Sequence, residues 1–171
     1  MSDPSDQRLG AFDPDFDVPL YGLSAVVYLE RGDEILLLRR AGGAMSGQWF
    51  LPGGAVERGE RPEEAARREL REESGLEVDG ELELVGAYPI WVYGGDCLQL
   101  SYRGTVAGDA DAVVSDEHDG ARWVNPADMR ALLTDESIES LAAGNERVAD
   151  LVRGIRDDLD TYLRRVGRVS R

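Results

Sequence analysis

Residues 54–76 read GAVERGERPEEAARRELREESGL, and three carboxylates in that stretch, Glu69, Glu72 and Glu73, stand three and four residues apart. On an α-helix this spacing brings all three side chains to one face, within reach of one another. Like charges so placed oppose the helix by roughly 0.2–0.5 kcal/mol per pair. A divalent cation held among them reverses that cost, because hard cations take oxygen ligands. The other reading is a solvated helix face laced with Glu–Arg ion pairs, since Arg67, Arg68 and Arg71 belong to the same stretch. At about 100° per residue, Ala65, Ala66 and Leu70 fall beside the carboxylates, and Arg67 and Arg71 fall across from them. The carboxylates thus flank the stripe that packs on the body of the protein. The helix has clear ends. Pro62 suits its first turn, Glu63 and Glu64 complement its N-terminus, and Gly75 suits its C-cap.

The order Gly54, Glu60, Arg68-Glu69-Leu70, Glu72-Glu73, Gly75-Leu76 resembles the signature box of the Nudix hydrolases at every defined position. The preceding Trp49-Phe50-Leu51-Pro52-Gly53 resembles the strand and turn that lead into that box. The resemblance implies an α/β fold, an α/β/α sandwich around a mixed central sheet. It implies hydrolysis of a nucleoside diphosphate linked to another moiety X, such as a nucleoside triphosphate, nucleotide sugar, ADP-ribose or dinucleoside polyphosphate. The implied cofactor is Mg2+, for which Mn2+ can substitute. The resemblance implies that Glu69 and Glu73 are metal ligands, that Glu72 is a ligand or the general base, and that Glu69 and Glu72 carry the catalysis. Gly53 matches a position that supplies a backbone carbonyl ligand, which a glycine allows to approach an ion closely. Glu117, just upstream of Trp123, matches a recurrent extra ligand. Glu60 and Arg68 would form a salt bridge holding loop to helix.

Outward from the box, residues 20–29 (LYGLSAVVYL) read as a buried strand and residues 34–40 (EILLLRR) as its hairpin partner. Arg39 and Arg40 are either a polar strand end or, as the resemblance implies, contacts for substrate phosphate. Residues 81–87 and 98–106 alternate as strands do. Residues 88–95 between them read as a strand end and aromatic, Gly-rich loop, in which Trp91 or Tyr93 would stack on a base or serve as a core or rim aromatic. Residues 121–124 read as a further strand, with His118 before it as a solvated loop histidine or, in the second reading, a group for proton transfer. Asn125 and Pro126 open a second helix, and residues 138–143 form a short further turn. From Val148 onward, Leu151, Val152, Ile155, Leu159, Tyr162, Leu163 and Val166 repeat at three and four residues, a long C-terminal amphipathic helix.

Three segments follow: a partly ordered acidic arm over 1–18, with Phe12 and Phe16 as anchors; a hydrolase domain over 19–135; and a helical extension over 136–171, packed on the domain or on a partner in a homodimer. The 171 residues suit one domain with a real core. Nineteen basic residues, all arginine, against 34 acidic ones give a net charge of −15. That balance disfavours a grip on long nucleic acid, which relies on clustered cations. It allows a small phosphorylated partner, given a metal and a few local arginines. No apolar run approaches a membrane span, and the N-terminus has no cationic-then-apolar signal. The single cysteine, Cys97, allows no internal disulfide, so the expected setting is cytoplasmic, with Cys97 buried and inert. Two other functions compete: a regulatory module that binds nucleotide without turnover, and an isoprenyl diphosphate isomerase, for which Cys97 would be the acid.

Overall fold

The computed structural model describes residues 21–168 apart from Ala44, Tyr93, Gly94 and Ala110. The acidic arm with Phe12 and Phe16, and the stacking role of Tyr93, lie outside the described residues. In chain order the elements are β1 (Gly22–Arg31), β2 (Glu34–Arg40), β3 (Trp49–Phe50), β4 (Gly53–Ala55), α1 (Pro62–Ser74), β5 (Asp79–Val92), β6 (Gly95–Thr105), β7 (His118–Val124), α2 (Pro126–Leu132), α3 (Asp135–Ala142) and α4 (Glu146–Arg165).

The strands form one mixed sheet in the order β3-β2-β1-β6-β5, with β4 on β1 and β7 on β2. β1 runs parallel to β6 and antiparallel to β2 and β4. One edge of β1 is shared. Its end pairs with β2 through Glu30–Ile35 and Arg31–Glu34, and its start pairs with β4 from Ser24–Ala55 to Val26–Gly53. This division lets the strand that leads into the box approach the middle of the sheet.

Alternation along β1 sorts its side chains between two cores. Ala25, Val27 and Leu29 pack with Ala65, Ala66 and Leu70 of α1. Tyr28 faces the other way and packs with Leu159, Tyr162 and Leu163 of α4. The sheet thus lies between α1 and α4, the α/β/α sandwich. Tyr28 and Tyr162 stack with ring centroids 4.2 Å apart, and the Tyr162 hydroxyl donates to Glu30 Oε1 at 2.7 Å. The apolar stripe of α4 therefore packs on its own sheet.

α1 begins and ends where its local signals place it. Arg61 N–H donates to Glu64 Oε2 at 2.9 Å, and Gly75 closes the helix at φ 68°. Two segments differ from expectation. Residues 88–92 are the end of a long strand, because Ile90, Trp91 and Val92 pair with Cys97, Asp96 and Gly95 of β6. β-branched and aromatic side chains favour that outcome once a partner strand is present. Residues 135–142 form a full helix, α3, rather than a short turn. Thr134 caps it by accepting from Ser137 N–H, and Asp135 and Glu136 complement its N-terminus.

Candidate active site

The site starts from a backbone position that only glycine can hold. Gly53 lies at φ 149°, and a Cβ there would stand 2.2 Å from the carbonyl oxygen of Ala25 and 2.6 Å from Val26 Cα. Strand β4 can therefore press against β1. Its N–H then donates to Glu73 Oε2 at 2.8 Å, tying the last turn of α1 to the sheet. Gly54 is filled differently: a Cβ there would stand 2.6 Å from the Glu69 carboxylate. Glu69 and Glu73 thus meet the Gly53-Gly54 backbone from α1.

Arg68 organises the outer carboxylates. It grips Glu60 with two donors, Nε to Oε1 at 2.9 Å and Nη2 to Oε2 at 3.0 Å, and Nη2 also donates to the Ala55 carbonyl. Its Nη1 reaches Glu69 at 2.8 Å and Glu72 at 3.2 Å. The expected bridge from Glu60 to Arg68 is present and holds the loop before α1 against the helix. Glu72 stands at the rim, with over half of its side chain exposed.

Glu73 is the buried member of the set, 7% exposed. Burial pushes its carboxyl up to about 7; the Gly53 N–H opposes the rise, and the Glu69 and Glu117 charges add to it. His118 Nε2 lies 3.7 Å from Glu73 Oε1. His118 is not a solvated loop residue: β7 begins with it, opposite Arg40, and it is buried. Burial and the nearby Arg40 hold its imidazole below the usual range, so it is neutral near pH 7. Glu117 faces Arg40 at 3.7 Å.

The two arginines ending β2 separate. Arg40 lines a cavity of about 720 Å3, together with Gly53, Gly54, Glu73, His118 and Trp91. Arg39 points elsewhere, donating Nε to Asp119 Oδ1 at 2.6 Å beside Trp49. Trp91 forms another wall, one face covered by the Arg147 guanidinium 4.4 Å from its centroid. α4 roofs this space through residues that include Arg147, Val148, Leu151, Ile155 and Asp158. Cys97 is buried and is not among the residues that line the cavity, and burial raises its thiol pKa.

Among the described residues no three His, Cys, Asp or Glu side chains converge closely enough to hold an ion. Arg68 donates to Glu69 and Glu72, and the Gly53 N–H donates to Glu73. The donor chemistry nevertheless fits a hard divalent cation. The groups are carboxylate oxygens, a protein cation already stands between two of them, and the missing Cβ of Gly54 leaves Glu69 its place.

Sequence reasoning passed over Ser24, Arg147 and Asp158. A signal for Asp158 was present. It lies three residues after Ile155 and four before Tyr162, a charge on the apolar stripe of α4.

The NUDIX domain family model matches residues 20–143. The nucleoside triphosphatase NudI of Escherichia coli O81 is 33% identical over 101 residues, 51% of this chain and 68% of NudI. Putative nudix hydrolase 1 of Caenorhabditis elegans is 32% identical over 114 residues, 65% of this chain but only 30% of that protein. The crystal structure of a MutT protein from Methanosarcina mazei Go1 superposes with a TM-score of 0.62 at 25% identity, covering 89% of this chain and 99% of the other. The chain belongs to the Nudix family, the class of diphosphate hydrolases to which the box points.

Proposed function

We propose that this chain hydrolyses a phosphoanhydride bond in a nucleoside diphosphate linked to a further moiety X, with a nucleoside triphosphate as the first substrate to test, and that it requires Mg2+ or Mn2+. The observation that carries this reading is the meeting of Glu69 and Glu73 at Gly53-Gly54, on the lip of a cavity that Arg40 also lines. The likeness to NudI supports the choice of first substrate.

Glu69, Glu73 and the Gly53 carbonyl would hold the cation, flanked by Glu72 and Glu117. When bound, the cation offsets the charge of the diphosphate and lowers the pKa of the attacking water. Arg40 adds a fixed positive charge facing the substrate. Glu72, exposed at the rim, or Glu69 beside it accepts the proton of the attacking water. The water oxygen bonds to one phosphorus as the bridging P–O bond breaks, and the departing phosphate carries away the electron pair. Arg68 keeps the two carboxylates oriented through its anchor on Glu60. The cavity volume lies within the range of ligand pockets, about 300–1,000 Å3.

The test is release of phosphate, pyrophosphate or nucleotide across a panel of triphosphates, nucleotide sugars, ADP-ribose and dinucleoside polyphosphates with Mg2+. We expect turnover of at least one member, abolished by a chelator and reduced about 10²–10⁴-fold by Glu72→Gln. Tight nucleotide binding without turnover of any member would make the chain a binding module instead.

A further inference from the structure

Among the described residues, two buried side-chain oxygens have no hydrogen-bond partner, Ser24 Oγ and Asp158 Oδ1, and both residues line the same cavity. They come from opposing walls, Ser24 from β1 and Asp158 from α4, and are 3% and 2% exposed. The other oxygen of Asp158 is engaged: Ser101 Oγ donates to Oδ2 at 2.5 Å, and the Tyr28 phenol lies against the same carboxyl. Oδ1 has no donor of acceptable geometry. A leucine at 158 would continue the stripe from Ile155 to Leu159 and Tyr162 without burying an unmatched acceptor. Such an acceptor carries a desolvation cost that no contact within the chain returns. A structural carboxyl explains Oδ2 and leaves Oδ1 without a reason.

The walls around these oxygens are broad and apolar, among them Val26, Tyr28, Trp91, Leu151 and Ile155. Gln99 lies opposite Ser24 in the parallel ladder and also lines the space. A flat ring fits such walls, and its edge must bring a donor to Asp158. A hydroxyl such as Ser24 Oγ serves either polarity. We propose that Asp158 and Ser24 select the base of the nucleotide substrate, a planar heterocycle whose exocyclic amino group donates to Asp158 Oδ1 while a neighbouring edge atom pairs with Ser24 Oγ. This rests on the nucleotide reading above. α4 lies beyond residue 143, where the family model ends, so the Asp158 half of the contact falls outside the residues that the model matches.

The test uses free nucleosides with the full chain and no metal, which separates it from hydrolysis. Binding is read from tryptophan fluorescence, since Trp49 and Trp91 line the cavity. Guanosine against inosine, and adenosine against purine riboside, differ only by the exocyclic amino group. In the native chain at least one amino-bearing member should bind about 10–100-fold tighter than its counterpart, the range of a hydrogen bond to a charged acceptor. Asp158→Asn should bring that ratio close to one. Ser24→Ala should weaken the preferred nucleoside several-fold. If neither pair is discriminated, or if Asp158→Asn leaves the ratio unchanged, the assignment is overturned. Should Asp158→Asn fail to fold, Ser24→Ala, which removes a single oxygen, decides the matter: unchanged affinity overturns it. If the hydrolase reading fails, turnover is absent while the nucleoside ratio stands. If the base contact fails, turnover persists without discrimination.

Discussion

Gly53 shows how a single hydrogen in place of a side chain can hold a site together. Its Cα sits where any Cβ would strike the Ala25 carbonyl, and its N–H fixes the buried end of Glu73. Gly53→Ala should therefore destabilise the fold by about 2–4 kcal/mol, in line with residues forced into an incompatible backbone, and remove turnover with it. Chemical denaturation measures the first effect and product release the second. Asp158 makes a different kind of statement. Burial raises its carboxyl from 3.8 to about 6, against the hydrogen bond from Ser101 and the neighbouring Tyr28 phenol. A folded-state value above the unfolded one means the native chain binds the extra proton. The stability this confers is full below about pH 4 and is lost as pH rises through about 6. Asp158→Asn removes this dependence. Relative to the parent, the variant should gain up to about 3 kcal/mol between pH 4 and pH 8, measured by urea unfolding at both pH values. The placement of Glu69 and Glu73 against Gly53-Gly54 was legible in the box because i, i+4 spacing is local. His118 and Asp158 could not be assigned so directly, since their burial comes from strands and a helix distant in sequence.

At the scale of elements, the local signals and the long-range ones part company. α1 starts and stops where its proline, acidic and glycine residues place it, α2 starts at Asn125-Pro126, and those signals act within a turn. β5 runs on through Trp91 because β6 offers a partner, which no pattern inside residues 88–92 records. α3 depends on the Thr134 cap more than on an apolar stripe. α4 was legible as an amphipathic helix, yet its role as a cavity roof was not, because periodicity says which face is buried and not what it faces. Its docking on the sheet centres on Tyr162, which stacks on Tyr28 and donates to Glu30. Tyr162→Phe keeps the stack and loses the donor, leaving Glu30 short of a partner. The expected cost is about 1–3 kcal/mol, read as a lower denaturation midpoint with an unchanged slope.

At the scale of the whole molecule, a chain of net charge −15 gathers three of its carboxylates, Glu60, Glu69 and Glu72, around Arg68, and the proposed phosphorylated substrate calls for one more positive charge beside them. Binding of Mg2+ to the folded state should show as stabilisation. At 100 times the dissociation constant it adds about 2.7 kcal/mol, visible as a higher melting temperature that Glu73→Gln diminishes. No described helix is long and apolar enough to cross a membrane. The overall architecture was legible because the box carries its fold with it. The cavity was not, since it forms only when α4 closes over the face of the sheet opposite the packed side of α1. That arrangement has a consequence for how such proteins diversify. The proposed cutting machinery sits on α1 and β4, whereas part of the cavity wall hangs on a C-terminal helix beyond residue 143, where the family model ends. Should Asp158 read the substrate as proposed, substitutions along α4 will redirect the enzyme to a new guest while the blade stays untouched.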